Sequence, residues 1–414
     1  MSDSAISARR PSVWWGAMII CGTVVGAGMF TLPVVMAGAW FGWSVLALLG
    51  SWASMLFSGL LFLKAARYYK PGTGYDTLTR DLLGARWATI NAISILFVLG
   101  ILTYAYISAS GPVYQHSLNL AGLSVTQGEA KILLTCCVGA VVCLGTKEVS
   151  RLMTICLLAK IALLVILFGG LLLQVKLPVL LNSEGTSATY WPYVLAVVPF
   201  CLASFGYHGN IAGLNQYYAG DRKQVGKALL FGTSLALVIY LFWLTATMGN
   251  LPRAEFPAII AKGGDIEALL EALHNHLPAG GLQLLMNVFS HFAVLCSFLG
   301  VTSGLFDFIA DRLKLGRSLP QRLKVCALTF LPPLLASLWF PDGFLAAIGY
   351  AGLLATVWAV LIPAFLAIKA RQRFSPGVAR SRWEKIIIVT VIAFGTVNLA
   401  AWLLNKASLL PLYQ

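Results

Sequence analysis

Eleven apolar runs, joined by short polar stretches, take up most of this chain. A helix that crosses the hydrocarbon core of a bilayer needs about 20 mostly apolar residues. Lipid also forbids exposed irregular backbone, so each run has to be helical. The runs cover residues 14–38, 40–66, 87–113, 131–144, 152–173, 192–215, 228–248, 282–310, 323–340, 344–368 and 386–404. The fourth is short and draws on its flanks. Of 414 residues only 11% are charged and 59% are hydrophobic. A soluble chain of this length needs far more polar surface to cover its core. A water-soluble enzyme is therefore excluded. The reading is an all-α integral membrane protein of eleven transmembrane helices, a single domain over residues 1–414.

The net charge of +14 tests this map. With the N-terminus placed in the cytoplasm, 23 of the 29 basic residues fall on the cytoplasmic side, five (Lys131, at the very start of its run, Lys176, Arg253, Lys262 and Lys406) fall outside, and Lys160 alone lies within a span. That sorting is what the positive-inside rule requires, and it puts the C-terminus outside. It removes the other meaning of a basic excess, nucleic-acid binding. The eight cysteines all lie in apolar stretches without metal spacing, which predicts inert core residues. No nucleotide-binding loop of the G-x-x-x-x-G-K-[ST] type occurs. The longest outer segment, residues 249–281, carries a short amphipathic stretch at 266–274 and is expected to be a lid or brace.

Two spans break their own pattern. The first contains Gly22, Gly26 and Gly28, followed by Pro33, and each glycine weakens a helix by roughly 1 kcal/mol relative to alanine. Gly22 and Gly26 alone would also suit a small-xxx-small packing face. The sixth span, five later, reads Pro199-Phe200-Cys201-Leu202-Ala203-Ser204-Phe205-Gly206-Tyr207-His208-Gly209-Asn210. Interrupted spans at matching positions of two halves are the mark of a transporter site in an inverted repeat. The spacing predicts a five-plus-five, LeuT-like arrangement: repeat one over about 14–173, repeat two over about 192–368, and an extra helix at 386–404. A half-helix N-terminus offers amides to a carboxylate. Freed carbonyls near Phe200, Ala203 and Ser204 can accept from an ammonium group. The candidate substrate contacts are Thr23, Gly26, Ala27, Gly28, Tyr104, Ser108, Phe200, Ala203, Ser204, Phe205 and His208, with Phe30, Tyr106 and Tyr207 as further aromatics.

A charge at bilayer depth is costly and calls for a reason. Lys160 either snorkels to the cytoplasmic surface or is a buried amine that carries a proton in part of a cycle. His208 is a second proton-coupling candidate, His291 reads as a bundle histidine, and Asp307, near Asp311 and Arg312, as part of an inner gate. No carboxylate lies at mid-membrane.

Several segments resemble a known family. Gly26-Ala27-Gly28-Met29-Phe30-Thr31-Leu32-Pro33, Leu102-Thr103-Tyr104-Ala105-Tyr106-Ile107-Ser108, Ala203-Ser204-Phe205-Gly206-Tyr207-His208-Gly209-Asn210 and Ser297-Phe298-Leu299-Gly300-Val301-Thr302 are similar to segments of the bacterial aromatic amino-acid permeases. These belong to the amino-acid/polyamine/organocation superfamily. The stretches at 33–41 and 247–250 look more like the high-affinity tryptophan-specific branch than the tyrosine-specific one. The resemblance implies import of L-tryptophan with a proton across the bacterial inner membrane by alternating access. The energy source would be the proton gradient, with no cofactor, and the working unit a monomer. Broader aromatic specificity, or sodium coupling through Thr302 and Ser303, are the alternatives; an amino-acid sensor that does not transport is a rival of another class. In proton-coupled relatives a fifth-helix lysine stands where others hold sodium, and Lys160 matches it. One departure is Lys64, where the family pattern has a glutamate.

Overall fold

A computed structural model describes residues 11–26, 29, 31–183, 189–262, 266–273, 282–316, 318–340 and 351–413. The described residues are helical, without a strand. Among the described residues, ten helices are long and apolar enough to cross a membrane. In chain order the helices are α1 (Val13–Val24), α2 (Leu32–Val35), α3 (Trp40–Ala66), α4 (Tyr75–Leu83), α5 (Ala85–Leu120), α6 (Gln127–Leu144), α7 (Thr146–Leu173) and α8 (Leu177–Leu181). Then come α9 (Val194–Ser204), α10 (Ile211–Tyr217), α11 (Arg222–Met248), α12 (Phe256–Ala261), α13 (Ile266–Leu273), α14 (Leu282–Leu313) and α15 (Leu319–Trp339). The last two are α16 (Ala351–Phe374) and α17 (Arg382–Lys406). The first expected span is two pieces, α1 and α2, each too short to cross by itself. The tenth begins in residues 341–350, outside the described residues.

Local chemistry sets the helix starts. The Ser12 side chain caps α1, and a reciprocal Thr126–Glu129 capping box starts α6. That box moves the start of α6 four residues ahead of its expected apolar run and puts Lys131 inside the helix. Lys131 is not in an outer segment, as its charge suggests. It is buried, and its Nζ donates to the Ser337 carbonyl at 2.9 Å. Asp221 and Ser381 cap α11 and α17 in the same way.

Packing places α1 at the centre, against α11, α7 and α14, while α17 lies outside against α9, α3 and the start of α16. Trp14, Trp43, Trp87, Trp191, Trp339 and Trp383 are exposed and lie within a few residues of helix ends, where an aromatic belt at a bilayer interface is expected. Cys136 and Cys137 are also exposed, on the outer surface of α6. The expectation that every cysteine is a core residue fails there, because apolar sequence faces lipid as readily as core. The amphipathic stretch is helical over its described residues, α13, and its last residue, 274, lies outside them. In the segment before α12, Arg253 donates to the carbonyls of Ala37 (3.0 Å) and Gly38 (2.7 Å) and stacks on Tyr190 and Tyr413. The part of the long segment around Arg253 thus braces the end of the first span.

At the end of the bundle where basic residues gather, Glu384 is buried between Lys64 and Arg371, each at 2.8 Å. The charge at Lys64 therefore has a local partner on α17.

Candidate functional site between the two broken helices

In α1 the hydrogen-bonded ladder stops at Val24 and Val25. In the sixth span it stops at Ser204, resumes as a single tight turn over His208–Asn210, and continues as α10. A buried carbonyl freed from a helix needs a donor, and side chains from other helices supply them. Ser297 of α14 donates to Gly22 O at 3.2 Å. The Tyr240 hydroxyl of α11 lies 2.7 Å from Val24 O and 2.7 Å from Ser204 O, so one phenol spans both breaks. Lys160 of α7 donates to Val25 O. Asn210 Nδ2 donates to Thr23 Oγ1 at 3.1 Å, a second link between the broken spans.

A cavity of about 100 Å³ lies between the breaks. Thr23, Phe200, Ala203, Ser204 and His208, all candidates from the sequence, line it. Gly26 stands just behind, with no room for a Cβ against Ser297 Oγ. Phe205 is buried edge-on against Tyr240, outside the wall. Ala27, Gly28 and Phe30 lie outside the described residues.

Two α5 candidates are displaced. The wall takes Val98, Leu99, Leu102 and Tyr106 from α5, the i, i+3/i+4 spacing of one helix face. Tyr104 and Ser108 each stand two residues from Tyr106, about 200° around the helix. Tyr104 accordingly donates to Phe340 O at 2.6 Å, and Ser108 is buried away from the wall. Tyr106 is the aromatic of this helix that faces the cavity.

Lys160 is 1% exposed and its amine is turned to the α1 break; it does not snorkel. Asp307 lines a larger vestibule of about 710 Å³ at the basic end. A small gap bordered by Gly209, Gly304, Trp358 and Asp307 lies between vestibule and cavity. One ion pair at this end joins Arg312 to Asp76 of α4 at 2.8 Å, and Asp311 accepts from Thr77. Arg312 thus reaches α4. His291 packs edge-on against Tyr114. Among the described residues, no group of three or more histidine, cysteine or acidic side chains is placed to hold a metal.

A profile of the tryptophan/tyrosine permease family matches residues 9–402. The chain belongs to that family. The permease is 50% identical over its full length, and the full length of the relative, to a tryptophan-specific transport protein of Shigella flexneri. It is 44% identical to a low affinity tryptophan permease of Escherichia coli K12, with 99% of each chain covered. A tyrosine permease of Enterobacter agglomerans is 36% identical over 99% of this chain and all of its own. The permease is a multi-pass membrane protein and not an enzyme. Sequence reasoning missed two members of its site. Tyr240 is a hydroxyl in the middle of an apolar span, a signal that was available. Trp358 had none, since it sits in a π-helical stretch, Thr356–Leu361, that shifts the register of α16.

Proposed function

We propose that the permease imports L-tryptophan by proton symport, by alternating access across the bacterial inner membrane, with a cytoplasmic N-terminus and a periplasmic C-terminus. The observation that carries this reading is the cavity between the two interrupted spans, whose carbonyls are held by side chains of α7, α11 and α14. The names of the relatives, tryptophan-specific transport protein and low affinity tryptophan permease, favour tryptophan as the cargo. The two breaks, five spans apart, support the LeuT-like repeat, with α17 outside it. Carbonyl oxygens at Ser204 and Val24 suit the substrate's ammonium group, and the aromatic wall suits an indole.

Lys160 is the proposed proton carrier. When charged it holds Val25 O; when neutral it loses most of that attraction, which ties its proton to the shape of the α1 break.

The test is uptake of radiolabelled tryptophan into proteoliposomes. An inward proton gradient is expected to drive accumulation, and a sodium gradient alone is not. Lys160→Ala is expected to abolish gradient-driven accumulation while leaving counterflow exchange. Accumulation that ignores the pH gradient in the unmodified protein refutes the coupling; exchange absent altogether refutes transport and favours a sensor.

A further inference from the structure

The polar side chains of the cavity wall are nearly all engaged. Thr23, Asn210, Ser204, Tyr207 and Tyr240 make the hydrogen bonds of the break or bond their own or neighbouring backbone, the Tyr106 hydroxyl is paired with Ser297, and Thr31 has a partner too. Two are not: both ring nitrogens of His208 and the indole nitrogen of Trp358 are buried without a hydrogen bond. Buried polar atoms left unpaired in a native structure need a reason.

The His208 ring is rigidly placed. It stacks on Tyr207 with centroids 4.5 Å apart and planes 26° apart, and meets the Trp358 ring edge-on at 6.0 Å. Tyr207 in turn is pinned by its hydroxyl to Met55 O at 2.9 Å. The tight turn after the break fixes the His208 backbone, so little freedom is left to the imidazole. A neutral imidazole has one N–H and one bare nitrogen, whereas an indole nitrogen is a donor only. Of the two unpartnered side chains, only His208 can accept. No charged side chain shares the wall.

We propose that His208 is a specificity-determining residue of this permease: its bare ring nitrogen accepts the side-chain N–H of the substrate's indole. The proposal rests on the tryptophan reading above and adds to it the atom that reads the side chain. Both nitrogens are covered by protein in this conformation, so the incoming indole reaches His208 by parting the Trp358 edge from it. A substrate with an N–H pairs the orphaned acceptor; an isostere without one leaves it unpaired, and a site built on a hydrogen bond discriminates strongly against such an analogue. An apolar wall of the same shape does not.

The test is competition against labelled tryptophan uptake in proteoliposomes. The competitors are unlabelled tryptophan and 3-benzothienylalanine, which has nearly the same shape with sulfur in place of the N–H. In the unmodified permease, half-inhibition by the sulfur analogue is expected to need about tenfold more than tryptophan, or higher. In His208→Leu the half-inhibition values of the two are expected to fall within about twofold of each other. In His208→Gln, whose carbonyl can accept, the preference for tryptophan is expected to return in part. A ratio near one in the unmodified permease overturns the proposal whatever the variants do, and so does an unchanged ratio in His208→Leu. If the unmodified permease takes up no tryptophan, the transport reading itself has failed; if it takes up tryptophan at a ratio near one, only the role of His208 has.

Discussion

Tyr240→Phe probes the join between the two broken spans, and its cost follows from counting hydrogens. The Tyr240 oxygen is 2.7 Å from Val24 O and 2.7 Å from Ser204 O, but a phenol has one hydrogen. Only one carbonyl is satisfied at any instant, and the second contact is between two oxygens. Removing the hydroxyl therefore costs one buried hydrogen bond and not two, about 1–3 kcal/mol when the carbonyl is left unpaired. The expected loss is at the lower end of that range, because the crowding of the second oxygen is relieved at the same time. The assay is reversible unfolding of the purified permease in mixed micelles, titrated with a denaturing detergent, alongside tryptophan binding. In the bound state the substrate's ammonium is expected to serve one carbonyl and leave Tyr240 to the other. Tyr240→Phe then removes one hydrogen bond from each form, and relief of the oxygen–oxygen crowding offsets that loss only in the free form, so binding is expected to weaken by about 2- to 5-fold, equivalent to under about 1 kcal/mol. A stability loss well above 3 kcal/mol would refute the single-hydrogen argument. Binding unchanged would refute the sharing of these carbonyls with substrate.

Other perturbations separate the parts of the fold. Glu384→Gln unpairs Lys64 and Arg371. Lys64 is 37% exposed and Arg371 18%, so a double-mutant cycle should give under about 1 kcal/mol for the Lys64 pair and a larger coupling for Arg371; the reverse order would contradict the burial argument. Gly300→Ala has no room, since its Cβ would press on Thr23 Oγ1 and stand 2.9 Å from the Thr23 backbone; a loss of about 1–3 kcal/mol is expected. Gly170→Ala in α7 meets nothing within 4 Å and should be neutral or stabilising by up to about 1 kcal/mol. Asp81 accepts from the Tyr69 hydroxyl at 2.6 Å and pairs with Arg373 at 2.9 Å. The Tyr69 hydrogen bond first, then Arg373, hold its carboxyl below its ordinary 3.8. A depressed carboxyl stabilises the fold above its unfolded value, and the contribution fades as pH falls through the lower folded value. Asp81→Asn should therefore be less stable than the unmodified chain at neutral pH and converge with it below about pH 4; a constant difference down to strong acid would refute this.

The sequence made the all-helical, membrane-spanning class and the rough position of the helices legible, because the length of an apolar run maps directly onto membrane thickness. It also marked both breaks, because glycine, proline and small polar residues at mid-span are costly without a purpose. Faces were harder to read. In α5 the four wall residues include Tyr106 but not Tyr104, and the aromatic pair gave no indication which tyrosine points inward, since both faces of a membrane helix are apolar. The same ambiguity hid the exposure of Cys136 and Cys137. Lys131 looked like a loop charge because its capping box lies outside the apolar run. Partners were hardest of all. Tyr240 is 216 residues from Val24 and Lys160 is 135 from Val25, and nothing in the periodicity of one helix says which carbonyl of another it will meet.

The distribution of donors at the α1 break bears on how the permease can move. The carbonyls of Gly22, Val24 and Val25 are each held by a different helix, α14, α11 and α7. A continuous helix would have satisfied those carbonyls from its own amides and needed none of the three. Each donor is thus bound to the break rather than to its own helix, and any tilt of α1 has to exchange at least one of them. Two of the three exchanges are inexpensive: the serine has its own helix carbonyls as alternatives, and the tyrosine already has a second acceptor at Ser204. Lys160 is different. It is 1% exposed, and an ammonium parted from its acceptor at that depth is far costlier than a hydroxyl. Motion of α1 away from Lys160 is therefore favoured when the lysine is neutral. Of the three donors, the amine is the one whose protonation can decide whether the break holds its shape.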